Sequence, residues 1–357
     1  MAALRIRKRH LAIAAAIIAA AVCAVAATRF WRDAAPAEAG EEDLQRIVFA
    51  DGRLWMLTIK GHLLSLAPDE AEPRRSAGKT IDICRLGDGM LALAQRGEVW
   101  RLRLRTDGRW RNLPAVPTEG DTLVALGCEG EQAMLVTSRR LIDLQAGTPR
   151  AVRLNGELQR LHMATAAPGD AEFAWIGFNV GEWGGGLMRI HRRSGRLEKV
   201  HSNRSGEICG GPLNTDCDPV NGIVASPSDP SCAVAAIGML HMMSHGRIVE
   251  VCGTRIRRLY FKALAPQPPA GTLDEGEPSS TVSFFGLALA GGDLWAVGID
   301  GLHRLRPGQP PQFRPLPKFT DRGGYMVSFD VPGVVLVLSN ANQRVSLSGA
   351  IPLMAVR

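Results

Sequence analysis

A chain of 357 residues, 46% hydrophobic and 22% charged, has ample apolar surface for a folded core and is not the composition of a disordered protein. Its formal net charge is +7, but four of those charges, on Arg5, Arg7, Lys8 and Arg9, sit together at the N-terminus. About +3 is left for everything else, too even a balance for a nucleic-acid footprint, and nucleic acid is excluded as an expected partner.

Residues 5–10 read Arg-Ile-Arg-Lys-Arg-His, and an apolar run without a charge extends from Leu11 to Ala27. A basic flank stays in the cytoplasm, so residues 1–10 are read as cytoplasmic and the chain beyond the apolar run as exported. Residues 11–31 form a predicted hydrophobic helix that serves as a membrane anchor, Phe30-Trp31-Arg32 resembling an interfacial belt. The alternative is a cleaved signal, for which Ala24-Val25-Ala26 supplies small residues. The expected location is the inner membrane, single-pass, with the rest of the chain in the periplasm. Residues 32–46, rich in Ala, Pro, Gly and Glu, read as a solvated linker.

From residue 47 to 357 the helical spacing of apolar residues is almost absent. Short runs of Val, Ile, Leu and aromatic residues end at turn pairs such as Lys60-Gly61, Arg96-Gly97 and Gly291-Gly292. These hairpins group into units at about 47–79, 80–117, 121–157, 158–207, 218–264, 280–317 and 323–357. The period matches that of a propeller blade. The predicted fold is therefore all-β: a β-propeller of seven four-stranded blades, preceded by the hydrophobic helix. A pair of β-sandwiches is the alternative.

Three segments carry a more specific pattern. They are Asp51-Gly52-Arg53-Leu54-Trp55-Met56-Leu57-Thr58 with Gly61, Gly292-Asp293-Leu294-Trp295-Ala296-Val297-Gly298 with Gly301-Leu302-His303-Arg304-Leu305, and Ala174-Trp175-Ile176-Gly177 with Gly185-Gly186-Leu187-Met188-Arg189-Ile190. This pattern resembles the repeats of two-component-regulator propellers. The resemblance implies a propeller outside the cytoplasm and a sensory role. Trp55, Trp175 and Trp295 are expected to wedge between blades, where aromatic area dominates packing.

Cys23 lies in the apolar run, which leaves six cysteines in the exported part, an even number suited to an oxidising compartment. Proximity suggests Cys209 with Cys217 in one turn-rich segment, and Cys232 with Cys252 flanking a hairpin from Ala233 to Val251. Cys84 is left with Cys128 in neighbouring units. Buried free thiols are the alternative. No Cys-x-x-Cys spacing supports zinc.

The preferred binding residues are Asn179, Glu182 and Trp183. Asn179 to Gly186 joins two strands with more residues than the equivalent Gly298 to Gly301, so a loop with a carboxylate, an amide and an indole should protrude. Asn214 to Gly222 is rich in oxygen donors but lacks a calcium-loop register, so Asx turns are expected there. Met239, His241, Met243 and His245 would share one face of a strand, a copper-like set, although Gly246 suggests a turn that breaks the row. No cofactor or metal is expected. His62, His162, His191, His201 and His303 are scattered, and no nucleophile elbow occurs. The expectation is a binding module, with the membrane contacted through the N-terminal segment and an envelope protein or small ligand such as a glycan as partner. The alternative is an exported hydrolase or lyase with a pocket over the central channel.

Overall fold

The computed structural model describes residues 42–144, 148–159, 163–202, 211–241, 243–264, 280–316, 326–338, 344–345 and 353–356. The predicted N-terminal helix lies outside these. Among the described residues no helix is long and apolar enough to cross a membrane.

The chain is a β-propeller of antiparallel sheets. The first sheet holds β1 (Glu42–Ala50), β2 (Arg53–Thr58), β3 (Leu63–Leu66) and β4 (Arg74–Arg75), and the second β5 (Asp82–Leu86), β6 (Gly89–Arg96), β7 (Val99–Thr106) and β8 (Arg109–Asn112). A short β9 (Val116–Pro117) adds to β7. The third holds β10 (Leu123–Glu129), β11 (Gln132–Thr137), β12 (Arg140–Asp143) and β13 (Arg150–Arg153). The fourth holds β14 (Met163–Ala167), β15 (Phe173–Asn179), β16 (Leu187–His191) and β17 (Leu197–Val200). The fifth holds β18 (Val220–Ala225), β19 (Ala233–His241), β20 (Met243–Cys252) and β21 (Arg255–Tyr260). The sixth holds β22 (Phe284–Ala290), β23 (Asp293–Gly298), β24 (Gly301–Leu305) and β25 (Gln312–Pro315).

The expectation of seven four-stranded blades is corrected here. Six sheets are full four-stranded blades, whereas β26 (Met326–Ser328), β27 (Val334–Leu338) and β29 (Leu353–Val356) form a sheet of three. The intervening β28 (Arg344–Val345) pairs with Glu42 and Asp43 at the start of β1 instead. That pairing draws β1 back to Glu42, inside the stretch read as linker. The strand that would complete the last sheet thus joins the first.

Short turns set the hairpins. Asp51 and Gly52 both have positive φ, 52° and 66°, and close β1 on β2 at the pair Ala50 and Arg53. This is the two-residue turn whose twist matches that of the strands it joins. The first strand of each sheet lies against the first strand of the next, and β26 lies against β1, so the ring closes. The first strands all run the same way. Loops that enter a first strand, or join a second to a third, therefore emerge on one face, termed upper here; turns joining first to second strands emerge below.

The core lies between sheets rather than within them. Among the described residues seven apolar clusters occur, each shared by two neighbouring sheets, such as Trp55, Leu57 and Leu63 with Ile83, Met90 and Ala92. Trp55 and Trp175 are buried at such junctions, as expected, and Trp295 is half-buried beside Val297 and Phe285. Burying both faces of a sheet explains why strands such as β11 read as nearly continuous apolar runs.

Two disulfides match the expected pairing. Cys84 to Cys128 joins β5 to β10 with Cα atoms 6.0 Å apart, and Cys232 to Cys252 closes the open end of the β19–β20 hairpin at 4.5 Å. Cys217 is also disulfide-bonded; its expected partner, Cys209, lies outside the described residues. The turn suggested at Gly246 does not occur. Gly246 pairs with Gly238 within the hairpin, and β20 runs unbroken to Cys252. A Cβ at Gly246 would stand 2.5 Å from the carbonyl oxygens of Ile237 and Val282, so glycine is needed there for the close approach of the sixth sheet.

Candidate functional site

The loop from β15 to β16 is built from within. Val180 N–H donates to Gly184 O at 2.9 Å, and Gly181 to Trp183 make one 3-10 turn. Gly185 N–H donates to Thr215 O (3.1 Å) and Gly186 N–H to Asp218 O (2.9 Å). The loop is therefore fastened to the turn carrying Cys217, a neighbour that sequence spacing did not indicate.

The three preferred residues behave differently. Trp183 is 74% exposed, on a backbone held at both ends. Glu182 is exposed beside it. Asn179 faces inward: its Oδ1 accepts from Gly181 N–H at 2.8 Å and its Nδ2 donates to Asn221 Oδ1 at 2.5 Å. Asn221 donates onward to Gly238 O and Phe284 O, both at 2.8 Å. Asn179 thus positions the loop and ties the fourth sheet to the fifth and sixth.

The oxygen-rich segment is filled by the protein itself. Asp218 is fully buried, and its Oδ2 accepts from Asn214 N–H (2.6 Å) and Arg247 Nη2 (2.5 Å). Arg247 Nε also donates to Pro212 O at 2.7 Å, and Nη1 lies 2.7 Å from His245 Nε2. His245 therefore faces this ion pair, 3.5 Å from Asp218 Oδ1. The side chains of His241 and Met243 lie outside the described residues. Among the described residues no group of three or more His, Cys, Asp or Glu stands together to hold a metal. All three candidate segments nevertheless converge on the upper rim of the fourth and fifth sheets.

The third sheet repeats this clasp. Arg140 Nε donates to Asp121 Oδ2 at 2.6 Å and Nη2 to the carbonyls of Pro117 and Thr118 at 2.9 and 2.6 Å. Burial pushes the Asp121 carboxyl up, but hydrogen bonds from Arg140, Thr137 and Arg139 outweigh it and hold the group below its ordinary range. An Asp entering the first strand and an Arg on the third thus anchor an upper loop in both sheets. No local signal reveals the pair, because its members lie 19 or 29 residues apart.

Two further groupings were invisible in the sequence. His303, fully buried, bridges Asp300 (Nε2 to Oδ1, 2.8 Å) and the Tyr260 hydroxyl (Nδ1, 3.2 Å), while Lys262 Nζ donates to Asp300 Oδ2 at 2.6 Å. Burial raises the Tyr260 phenol, and Asp300, pushed up by burial, is brought below its usual range by His303 and Lys262. A carboxylate so held is a charge anchor rather than a proton donor. At the lower end of the axis the trend reverses. Burial raises Glu129, which accepts from Ala225 N–H two sheets away (3.3 Å). Burial also raises Asp330, despite hydrogen bonds from Ser328 and Phe49 N–H and the charges of Arg85 and Arg46. Arg85 reaches past the first sheet to Asp330 O at 2.7 Å. No hydrogen bond links Glu129 to Asp330 among the described residues.

No protein-family model matches this chain, and no curated protein matches it. Solved structures of similar shape include the extracellular domain of BT4673 from B. thetaiotaomicron, with 14% identity over 84% of this chain and a TM-score of 0.48. The match spans 37% of that chain. YCF48 from Cyanidioschyzon merolae is similar at 13% identity over 83% of this chain and 92% of that one, with a TM-score of 0.46. Apo AztD from Citrobacter koseri is similar at 12% identity over 89% and 82%, with a TM-score of 0.41. Likenesses of this degree assign no activity.

Proposed function

We propose that this chain is an extracytoplasmic binding propeller, tethered by its N-terminal apolar run, that takes a partner protein or small ligand on its upper face and acts as a sensory module. The observation that carries this reading is Trp183, a large aromatic side chain 74% exposed on a loop fastened to the next sheet. Exposed aromatic surface that packing does not require is a feature of recognition sites. Of the exposed large hydrophobic side chains among the described residues, Ile59, Met163, Trp183 and Leu264 lie at upper loops or strand starts, while Phe313 stands mid-blade opposite His303. Leu289 lies towards the lower end of β22. The disulfides support an oxidising compartment.

The test is a thermal-shift panel of neutral sugars and peptidoglycan fragments on the full chain and its Trp183→Ala variant. A ligand at a hundred times its dissociation constant should add roughly 2.7 kcal/mol to wild-type stability. The reading expects one class to shift the wild type and to lose most of that shift in the variant. An unchanged shift in the variant removes Trp183 from the site.

One observation favours a hydrolase or lyase as the second reading. Glu129 and Asp330, both raised by burial, stand at the lower end of first strands that line the axis. Turnover of any substrate, abolished in both Glu129→Gln and Asp330→Asn, would establish it.

A further inference from the structure

We infer that the groove between the first and second sheets binds an acidic polysaccharide. Strand alternation places Trp100, Leu102 and Leu104 in the core towards the third sheet, so Arg101, Arg103 and Arg105 face the first sheet. Register adds neighbours on that same face: Ala94 opposite Arg101, Asn112 opposite Arg103 and Trp110 opposite Arg105. Arg96 comes after Ala94 on that face of β6, beside Gly78.

The charges in this groove do not balance. Arg105 Nε pairs with Asp51 Oδ2 at 2.8 Å, and Glu70 is taken by Arg53 and Arg74. Arg96, Arg101 and Arg103 are exposed and have no acidic partner among the described residues. Arg101 and Arg103 are two residues apart on one strand, roughly 6.7 Å along it. Three unpaired guanidiniums so close repel one another, and an anionic partner would relieve that repulsion.

The chemistry narrows the partner. Beside the guanidiniums stand the exposed amide of Asn112 and the half-buried indole of Trp110, over which Arg103 lies at 4.4 Å. Guanidiniums fork onto carboxylate or sulfate groups, and an amide serves sugar hydroxyls. Three cations are too few for a duplex footprint, which typically neutralises about 6–10 phosphates. The lower turns that join first to second strands carry Asp88, Glu131, Asp170 and Asp229, so a polyanion meets like charge near the axis on that face.

The experiment measures binding of the full chain to polygalacturonate and heparin, as carboxylated and sulfated probes, with dextran, duplex DNA and anionic phospholipid vesicles alongside. The expected result is salt-sensitive binding to at least one acidic glycan and none to dextran. The triple variant Arg96→Ser, Arg101→Ser, Arg103→Ser should weaken it roughly tenfold or more. A matched triple, Arg150→Ser, Arg153→Ser, Arg193→Ser, removes equal charge from exposed positions elsewhere and should leave it within about twofold. The single Arg101→Ser should weaken binding measurably and serves if the triple does not fold. Equal losses in both triples, tighter binding to DNA or vesicles, or no glycan binding would each overturn the proposal. So would a groove triple that only self-associates with unchanged glycan binding, since the arginines would then be guarding a sheet edge.

Discussion

Asp293, buried at the start of β23, accepts from Arg306 and Arg304 at once. The hydrogen bond from Arg306 chiefly, then that from Arg304, outweighs burial and holds its carboxyl at about 2. Glu129 has the opposite balance, burial raising it with one backbone N–H in partial compensation. The signs of their pH dependence therefore differ. An unfolded Asp titrates near 3.9, so the stability from Asp293 should be full above that value and vanish as pH falls through about 2. An unfolded Glu titrates near 4.3, so the folded state loses stability as pH rises from there through the raised value of Glu129. Melting curves should show Asp293→Asn below wild type at neutral pH with the gap closing in acid. Glu129→Gln should match wild type in acid and melt above it at neutral pH; the same order for both variants would refute the assignment. None of these partnerships is legible in the sequence. There Asp293 reads only as a turn residue of a repeat, because its partners are set by strand register.

At the scale of elements, the hairpins are the most legible features. Asp51-Gly52 announces its turn through the backbone conformation it permits, and Cys232 and Cys252 mark the open end of β19–β20. Gly246 misleads because the two reasons for a glycine look alike in sequence. A turn needs positive φ, whereas here the need is room for Val282 O of the next sheet. Gly246→Val should therefore destabilise the protein by about 1–3 kcal/mol, measured by chemical denaturation, through overpacking at that junction. A midpoint equal to wild type would mean that the sheets stand further apart there. The protruding loop is legible in its length, from comparison with Gly298 to Gly301. Its docking on the Cys217 turn is not, because backbone carbonyls carry no sequence signature.

For the whole molecule, closure is the central physical problem, since an open array of sheets would leave two apolar faces in water. β28 on β1 and β26 against β1 solve it, and the Cys84–Cys128 bond pins two first strands near the axis. That bond spans a sequence separation of 44, so its removal in Cys84→Ala with Cys128→Ala should cost about 2–4 kcal/mol. The midpoint of reversible unfolding under oxidising conditions checks it, and no change would show that the thiols are free. What the sequence determined by itself is whatever depends on neighbours along the chain: strands from apolar runs, hairpins from turn pairs, units from their period, and the cysteine pairs from proximity. What only the tertiary structure decided depends on which residues meet across strands and sheets that are far apart along the chain. Closure with six four-stranded blades and a three-stranded sheet is one such outcome, and the Asp–Arg clasps are another. So are the meeting of three separate segments on one rim and the unbalanced arginines of a groove. Side chains far apart in the chain acquire partners only when the strands pair and the ring closes, and no local spacing encodes that distance.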